Sequence, residues 1–475
     1  MKPKKKFMNK PAFPTSFKNK YLLHLITNTK KYLLFLLILI VFLVTATNFI
    51  ANKPLLKGGE SYYYLYAAEH GPYNSLTTLV SLFSDQILFL IPPLLSILSL
   101  LILFKLAEKI KLKKEFVFFF ALFFILTPTF LFSFTTFSAY SLFFLLVMLG
   151  FWLLFHHQEK IRMFSLIPFI IATFVDGFST FLLLSLQLIY LLTKRSKKIY
   201  IKDNFLFFST GITFILLIVN KFVFNIPVLI GPFHPQKIFP DLISDLGGLS
   251  GISIFMFILA VIGLVVTWKK KEFHITYLLL PIIILAYLFN TQTIFYLSIL
   301  MVFFATVGFL KLFERHWSLV LLKKLTFFLL LLGIVFSTLT YIERMSEYLP
   351  LNADQEALTW IKENTPKETT ILSYPENAYF IKYFSARTPF SQFYSDNKGS
   401  SSGINLDLNR QIFSSVYIQE LFPLLEENNV SIVYINQDMK AVLPKEQGFL
   451  FLLKNEKFKL IHSYQHSEVW AFKKE

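Results

Sequence analysis

Cysteine is absent from the 475-residue chain, which excludes disulfides and every thiolate metal site. Acidic residues are few: 29 Asp plus Glu stand against 46 Lys plus Arg, a net charge of +17. Inside the long apolar stretches, charge of either sign is almost missing. That gap argues against ion-coupled transport, which places carboxylates or cations near mid-membrane despite a cost of roughly 2.5–3.5 kcal/mol each. A basic groove with interleaved aromatics is missing too, so the positive balance does not point to nucleic acid. Sparse glycine, 16 residues in all, together with the missing cysteine hints at an AT-rich prokaryotic genome.

What the chain has instead is apolar bulk. It is 55% hydrophobic, with 58 Phe and a mean hydropathy of +0.57. Apolar runs near the ~20 residues needed to cross a bilayer recur along it, predicting an all-α polytopic membrane protein. Residues 1–31 carry nine Lys and no acid, read as a retained basic cytoplasmic tail. The transmembrane domain is expected over 32–341. Its first span is 32–50, and 86–104 returns to a lysine-rich turn. Residues 116–155 form a hairpin broken at 133–138, and 164–192 a second one turned at Asp176-Gly177. Residues 204–219 go out, a long loop fills 220–251, and 252–268 returns. A third hairpin over 275–310 breaks at 290–293, and the last span is 325–341. About eleven transmembrane helices result.

Charge tests that topology. The tail and turns assigned to the inner side hold 28 Lys plus Arg, whereas the outer loops hold only Lys53, Lys57, Lys221 and Lys237. Positive charge marks the cytoplasmic side, so N-in and C-out is expected in a multi-pass protein of the cell membrane. Beyond residue 341 the balance reverses to 14 basic and 17 acidic residues, and no run is long enough to span. Residues 342–475 are expected to form a small extracytoplasmic α/β domain. It should contain a helix over 354–364, strands over 370–374 and 430–435, a helix over 413–428, a polar loop over 395–403 and a terminal hairpin turned at 465–467.

The stretch that organises this reading is Lys57-Gly58-Gly59-Glu60-Ser61-Tyr62-Tyr63-Tyr64-Leu65. It leaves the membrane where the first span ends. Two glycines permit a tight backbone, and a carboxylate is held at the lip of the bilayer beside tyrosines. The other acids of the outer loops are Glu69, Asp85, Asp176, Asp241 and Asp245. They gather at one face, the level at which a lipid-linked substrate presents its phosphate and sugar. Duller roles stand beside each: belt aromatics for the tyrosines, turn chemistry for Asp176-Gly177, helix starts for Asp241 and Asp245.

That stretch resembles the first outer loop of the GT-C-fold membrane glycosyltransferases, among them the protein mannosyltransferases, the lipid A aminoarabinose transferases and the archaeal and bacterial oligosaccharyltransferases. Eleven spans, the run Ile243-Ser244-Asp245-Leu246-Gly247-Gly248-Leu249-Ser250-Gly251 entering a span, and the outer α/β domain are similar to that superfamily as well. The resemblance implies a glycosyltransferase that moves a sugar from a polyprenyl- or dolichyl-phosphate donor to a glycan, lipid or protein acceptor of the cell envelope. The first-loop acid then acts as base for the acceptor or as a metal ligand. On this chain that role falls to Glu60 as general base, with metal dependence left open. Lys57, Lys53, His234, Lys237 and Arg387 are candidates for the donor phosphate, Tyr62 and Tyr63 for the sugar, and Asp176 and Asp241 for further substrate contacts. Two departures are visible. The turn at 129–140 has no acid where many members carry a second one, and the outer domain's tryptophans, Trp360 and Trp470, do not form the paired motif of oligosaccharyltransferases. Single-sugar transfer follows better than en bloc transfer. The rival readings are a lipid or polysaccharide exporter without chemistry and a non-catalytic assembly subunit.

Overall fold

A computed structural model describes residues 28–51, 53–70, 75–83, 87–196, 204–222, 235–248, 250–268, 270, 273–290, 293–392 and 405–473. The first helix, α1 (Thr29–Ile50), is apolar throughout. Gly58, at φ +83°, turns the chain back, and α2 (Gly59–His70) follows at once. Next come α3 (Ser75–Ser81) and α4 (Ile91–Lys109), the latter entered through a short 3-10 turn.

Helices α5 (Lys114–Ile125) and α6 (Pro128–Thr135) meet at a bend of 64°. The cause is local: Pro128 takes the first position of α6 and holds Thr127 in an extended conformation. The expected polar break at 133–138 is there as well, ending α6 before α7 (Ala139–Leu154). After the short α8 (Glu159–Met163) come α9 (Leu166–Thr173) and α10 (Gly177–Ser196). They turn at Asp176, whose Oδ2 accepts the Ser179 N–H at 2.6 Å, an N-cap contact.

Helices α11 (Asn204–Phe222), α12 (Pro235–Leu242), α13 (Ile254–Thr267), α14 (His274–Phe289), α15 (Ile294–Glu314) and α16 (Val320–Glu347) complete this part. Helices α13 and α15 touch through backbone. A Cβ on Gly263 would lie 1.9 Å from the Phe304 carbonyl oxygen, and one on Gly308 2.2 Å from that of Leu259. Small residues let helices approach this closely inside a membrane.

Every expected span contains a helix, but their lengths differ. Among the described residues, four helical stretches, beginning at Thr29, Leu88, Ile294 and Val320, are long and apolar enough to cross a membrane, and the bent pair makes five. Five more apolar helices have 10–17 residues. At 1.5 Å per residue all five fall below the ~30 Å hydrocarbon core.

The C-terminal domain, called the outer domain after the topology expected from the charge balance, begins with α17 (Asn352–Asn364), where the Asp354 carboxylate accepts the Leu351 N–H at 2.8 Å. Its strands are β1 (Thr370–Leu372), β2 (Thr388–Pro389), β3 (Val430–Ile435), β4 (Phe458–Tyr464) and β5 (Ser467–Phe472). They form one sheet in the order β2-β1-β3-β5-β4. β1 is parallel to both its neighbours, while β5 runs antiparallel to β3 and β4. Alternation along β3 explains its burial. Ile432 and Tyr434 face the cluster shared with α17, whereas Val433 and Ile435 face the domain's own core with Leu421, Leu425 and Phe449. The single helix expected over 413–428 is two, α18 (Leu406–Ser414) and α19 (Ile418–Glu427), separated at Ser415, which is extended. The polar loop expected over 395–403 lies outside the described residues.

Candidate active site

The stretch around Glu60 is where the membrane helices and the outer domain are fastened together. The Gly58 N–H donates to the Leu349 carbonyl at 2.8 Å, and the Lys57 Nζ donates to the Pro350 carbonyl at 3.1 Å. Both glycines favour this approach. A Cβ on Gly58 would come within 3.2 Å of the Tyr348 ring, and one on Gly59 within 3.1 Å of the Glu376 carbonyl oxygen. Ser61 ties the other side: its hydroxyl accepts the Phe137 N–H at 2.9 Å and donates to the Lys57 carbonyl at 2.6 Å.

Glu60 stands in the first turn of α2, half-buried. Its Oε1 accepts the Ala139 N–H at 3.2 Å, so the α6–α7 turn that lacks an acid supplies a backbone donor instead. Burial pushes the carboxyl up to about 7 and the nearby Asp176 adds to the rise, while the Ala139 N–H and the Tyr64 hydroxyl oppose it. Burial raises Asp176 as well. Tyr63 is raised by burial and by the charge of Glu60.

Tyr348, at the end of α16, senses more of the arrangement. Burial raises its hydroxyl, and Glu60, Asp438, Glu376 and Asp241 all raise it further. Charges from four separate parts of the chain thus act on one phenol. Asp176 joins them through Glu60. Neither Glu376 nor Asp438 was marked by the sequence, since each follows an ordinary turn in a domain rich in acids. Glu376 and Asp438 act there across the joint between that domain and α2.

Several expected site residues have other positions. Lys57 is buried at 1% exposure with its Nζ on a carbonyl, so it stands inside the joint and not beside an open phosphate site. Burial and Lys53 pull its ammonium down to about 8 against the opposing pull of Asp354. Lys53 donates to the Ser346 carbonyl at 3.0 Å. Tyr62, 4% exposed, packs against Phe380, Tyr383 and Phe384 at ring separations of 5.1–5.3 Å and donates to the Leu56 carbonyl, which makes it a pin for the outer domain. Arg387 is 7% exposed and donates to the carbonyls of Lys362, Thr365 and Ser385 and to the Thr365 hydroxyl. Asp245 accepts the Ile254 N–H at 2.8 Å at the start of α13. His234 lies outside the described residues; Lys237 lies in α12 with its side chain outside them. Among the described residues no three His, Asp or Glu side chains come together as a metal site.

A cavity of about 320 Å3 opens at the far end of α2, lined by Tyr66, His70, Lys382, Arg387, Thr388 and Gln392 among others.

With this geometry in hand, comparison with solved structures is informative. The Archaeoglobus fulgidus oligosaccharyltransferase tethered to an acceptor peptide containing the NVT sequon superposes with a TM-score of 0.57 at 13% identity, over 90% of this chain and 70% of that one. Its apo form gives 0.54 at 13% identity, over 90% and 71%. The same organism's oligosaccharyltransferase AglB, in complex with an inhibitory peptide and a dolichol-phosphate, gives 0.53 at 12% identity, over 88% and 70%. The chain has the GT-C fold. No family model matches the sequence, and no curated protein matches it. At this identity the likeness is one of architecture, and the helices long and apolar enough to cross a membrane agree with it.

Proposed function

We propose that the chain is a multi-pass membrane glycosyltransferase that takes a sugar from a polyprenyl-phosphate donor and delivers it to an acceptor at the outer face, with Glu60 as general base. The observation that carries this reading is the Glu60 carboxyl. It is half-buried where the membrane helices meet the outer domain, held by the Ala139 N–H, and poised near 7. A base is most effective when its pKa lies near the working pH, and burial provides that shift here. The shared fold supports the lipid-linked donor and the membrane setting.

In the proposed step an acceptor hydroxyl oxygen attacks the anomeric carbon and forms the new C–O bond. The bond from that carbon to the lipid phosphate breaks, and its electron pair leaves on the phosphate oxygen. The hydroxyl proton passes to Glu60. A single displacement inverts the anomeric centre. Asp176 keeps Glu60 basic by repelling its negative form, and Tyr63 offers the sugar an aromatic face. With Lys53 and Lys57 engaged by carbonyls, His234 and Lys237 are the cations this reading assigns to the donor phosphate, beside Asp241. The N-in, C-out orientation follows from the lysine asymmetry of the loops.

The test is transfer itself. Isolated membranes carrying the chain are given radiolabelled polyprenyl-phosphate sugars, and label should move from the lipid fraction to a non-lipid or larger lipid product. Label that crosses the membrane still attached to its polyprenyl carrier would favour export and defeat the enzymatic reading.

A further inference from the structure

The cavity at the end of α2 has a composition that the proposed reaction does not use. Its described lining brings three basic side chains, His70, Lys382 and Arg387, together with Tyr66, Thr388 and Gln392, and includes no acid. The Arg387 hydrogen bonds go to carbonyls and a hydroxyl, and among the described residues no carboxylate pairs with it, so its charge is not neutralised there. Lys382 lies over the Tyr66 ring at 5.0 Å and the Tyr379 ring at 5.6 Å. His70 stacks on Tyr66 with centroids 4.4 Å apart. Gln392 is 4% exposed, yet its side-chain oxygen has no partner among the described residues. A buried amide oxygen left unpaired is destabilising, and a hydroxyl-bearing ligand would satisfy it. Burial also pulls the Lys382 ammonium down to about 8, so an anion beside it would favour its charged form.

The position of the cavity matters as much as its chemistry. Tyr63, Tyr66 and His70 are spaced i, i+3, i+7 and share one face of α2. They lead away from Glu60 toward the cavity, with Tyr379 packed against Tyr63 at 4.9 Å along the way. At 1.5 Å per residue, Tyr66 and His70 lie roughly 9 and 15 Å from Glu60 along the helix axis. A volume of about 320 Å3 is at the lower end of ligand cavities, which run from roughly 300 to 1,000 Å3. It suits a sugar ring or two better than a polyprenyl chain.

We propose that this cavity is a subsite for an anionic sugar of a glycan acceptor, its carboxylate or phosphate held by Lys382 and the Arg387 charge, its ring against Tyr66, and a hydroxyl on Gln392. The proposal rests on the glycosyltransferase reading in one respect: if one sugar is transferred at Glu60, a saccharide unit roughly 9–15 Å away belongs to the acceptor.

Saturation-transfer NMR on the purified full-length protein tests it, with glucuronate, glucose 6-phosphate, glucose and inorganic phosphate as probes. Glucuronate or glucose 6-phosphate should bind at least tenfold more tightly than glucose. Lys382→Gln and Tyr66→Leu should each weaken that binding about tenfold, and Gln392→Leu should weaken it several-fold. Glu60→Gln should leave it unchanged, so loss of transfer in that variant and loss of binding in the others are separate outcomes. Equal binding of glucose and glucuronate would overturn the anionic assignment. Inorganic phosphate binding as well as the acidic sugars, indifferent to Tyr66→Leu, would overturn the saccharide assignment, and no binding of any probe would overturn both.

Discussion

A carboxyl held near 7 has consequences that can be followed with pH. Glu60 must be ionised to accept a proton, so transfer should rise about tenfold per unit as pH climbs toward 7 and level off above it. Asp176 contributes to that value by repulsion. Asp176→Asn removes the charge and leaves an oxygen for the Ser179 N–H, so the rising limb of the pH–rate profile should move to lower pH. A profile unmoved by that change would separate the two carboxyls. Stability should run the other way. The folded chain holds the Glu60 proton up to about 7, whereas an ordinary carboxyl near 4.5 releases it in the unfolded chain. Between those values the folded state therefore binds more protons, and stability falls as pH rises. Glu60→Gln escapes that loss, so its melting temperature should exceed the wild type at pH 8 and match it near pH 4.5. Nothing in a string of residues distinguishes a lysine or tyrosine facing substrate from one inside a joint, which is where Lys57 and Tyr62 lie.

At the scale of single elements, two glycine positions carry testable weight. Gly58 sits at φ +83° with Tyr348 in the way of any Cβ, so Gly58→Ala should cost about 1–2 kcal/mol from backbone strain alone and displace Glu60 with it. Thermal unfolding reads the first effect and transfer the second. Gly263 has the Phe304 carbonyl oxygen 1.9 Å from its missing Cβ, so Gly263→Leu should drive α13 and α15 apart and sharply reduce the monodisperse protein recovered in detergent. Apolar runs announced most helices, because a membrane solvent demands long uncharged stretches. The α5–α6 bend was hidden by the same uniformity: Phe and Leu on both sides conceal a break that depends on Pro128. The division between α18 and α19 was missed because Phe413, Tyr417 and Leu421 continue the i, i+4 apolar spacing of a helix across an extended Ser415.

For the whole molecule, the joint between α2 and the outer domain decides which carboxylates act on the region around Glu60 and Tyr348. Tyr62 fills an aromatic nest of Phe380, Tyr383 and Phe384, and removing a buried aromatic ring typically costs about 3–5 kcal/mol. Tyr62→Ala should loosen the outer domain, seen as faster limited proteolysis between α16 and α17, and should lower transfer although Glu60 is intact. The small C-terminal sheet was legible from the short apolar strand patterns that follow the reversal of charge balance near residue 341. The seating was not, because the influence of Glu376 and Asp438 on Tyr348 arises only across the fold.

The most direct measurement compares sugar transfer by wild type and Glu60→Gln in membranes at pH 8, with both proteins shown to be folded by their melting curves. A loss of about a hundredfold or more, within the 10²–10⁴ range of general-base catalysis, is the predicted result. Undiminished transfer by a folded Gln variant would contradict the account.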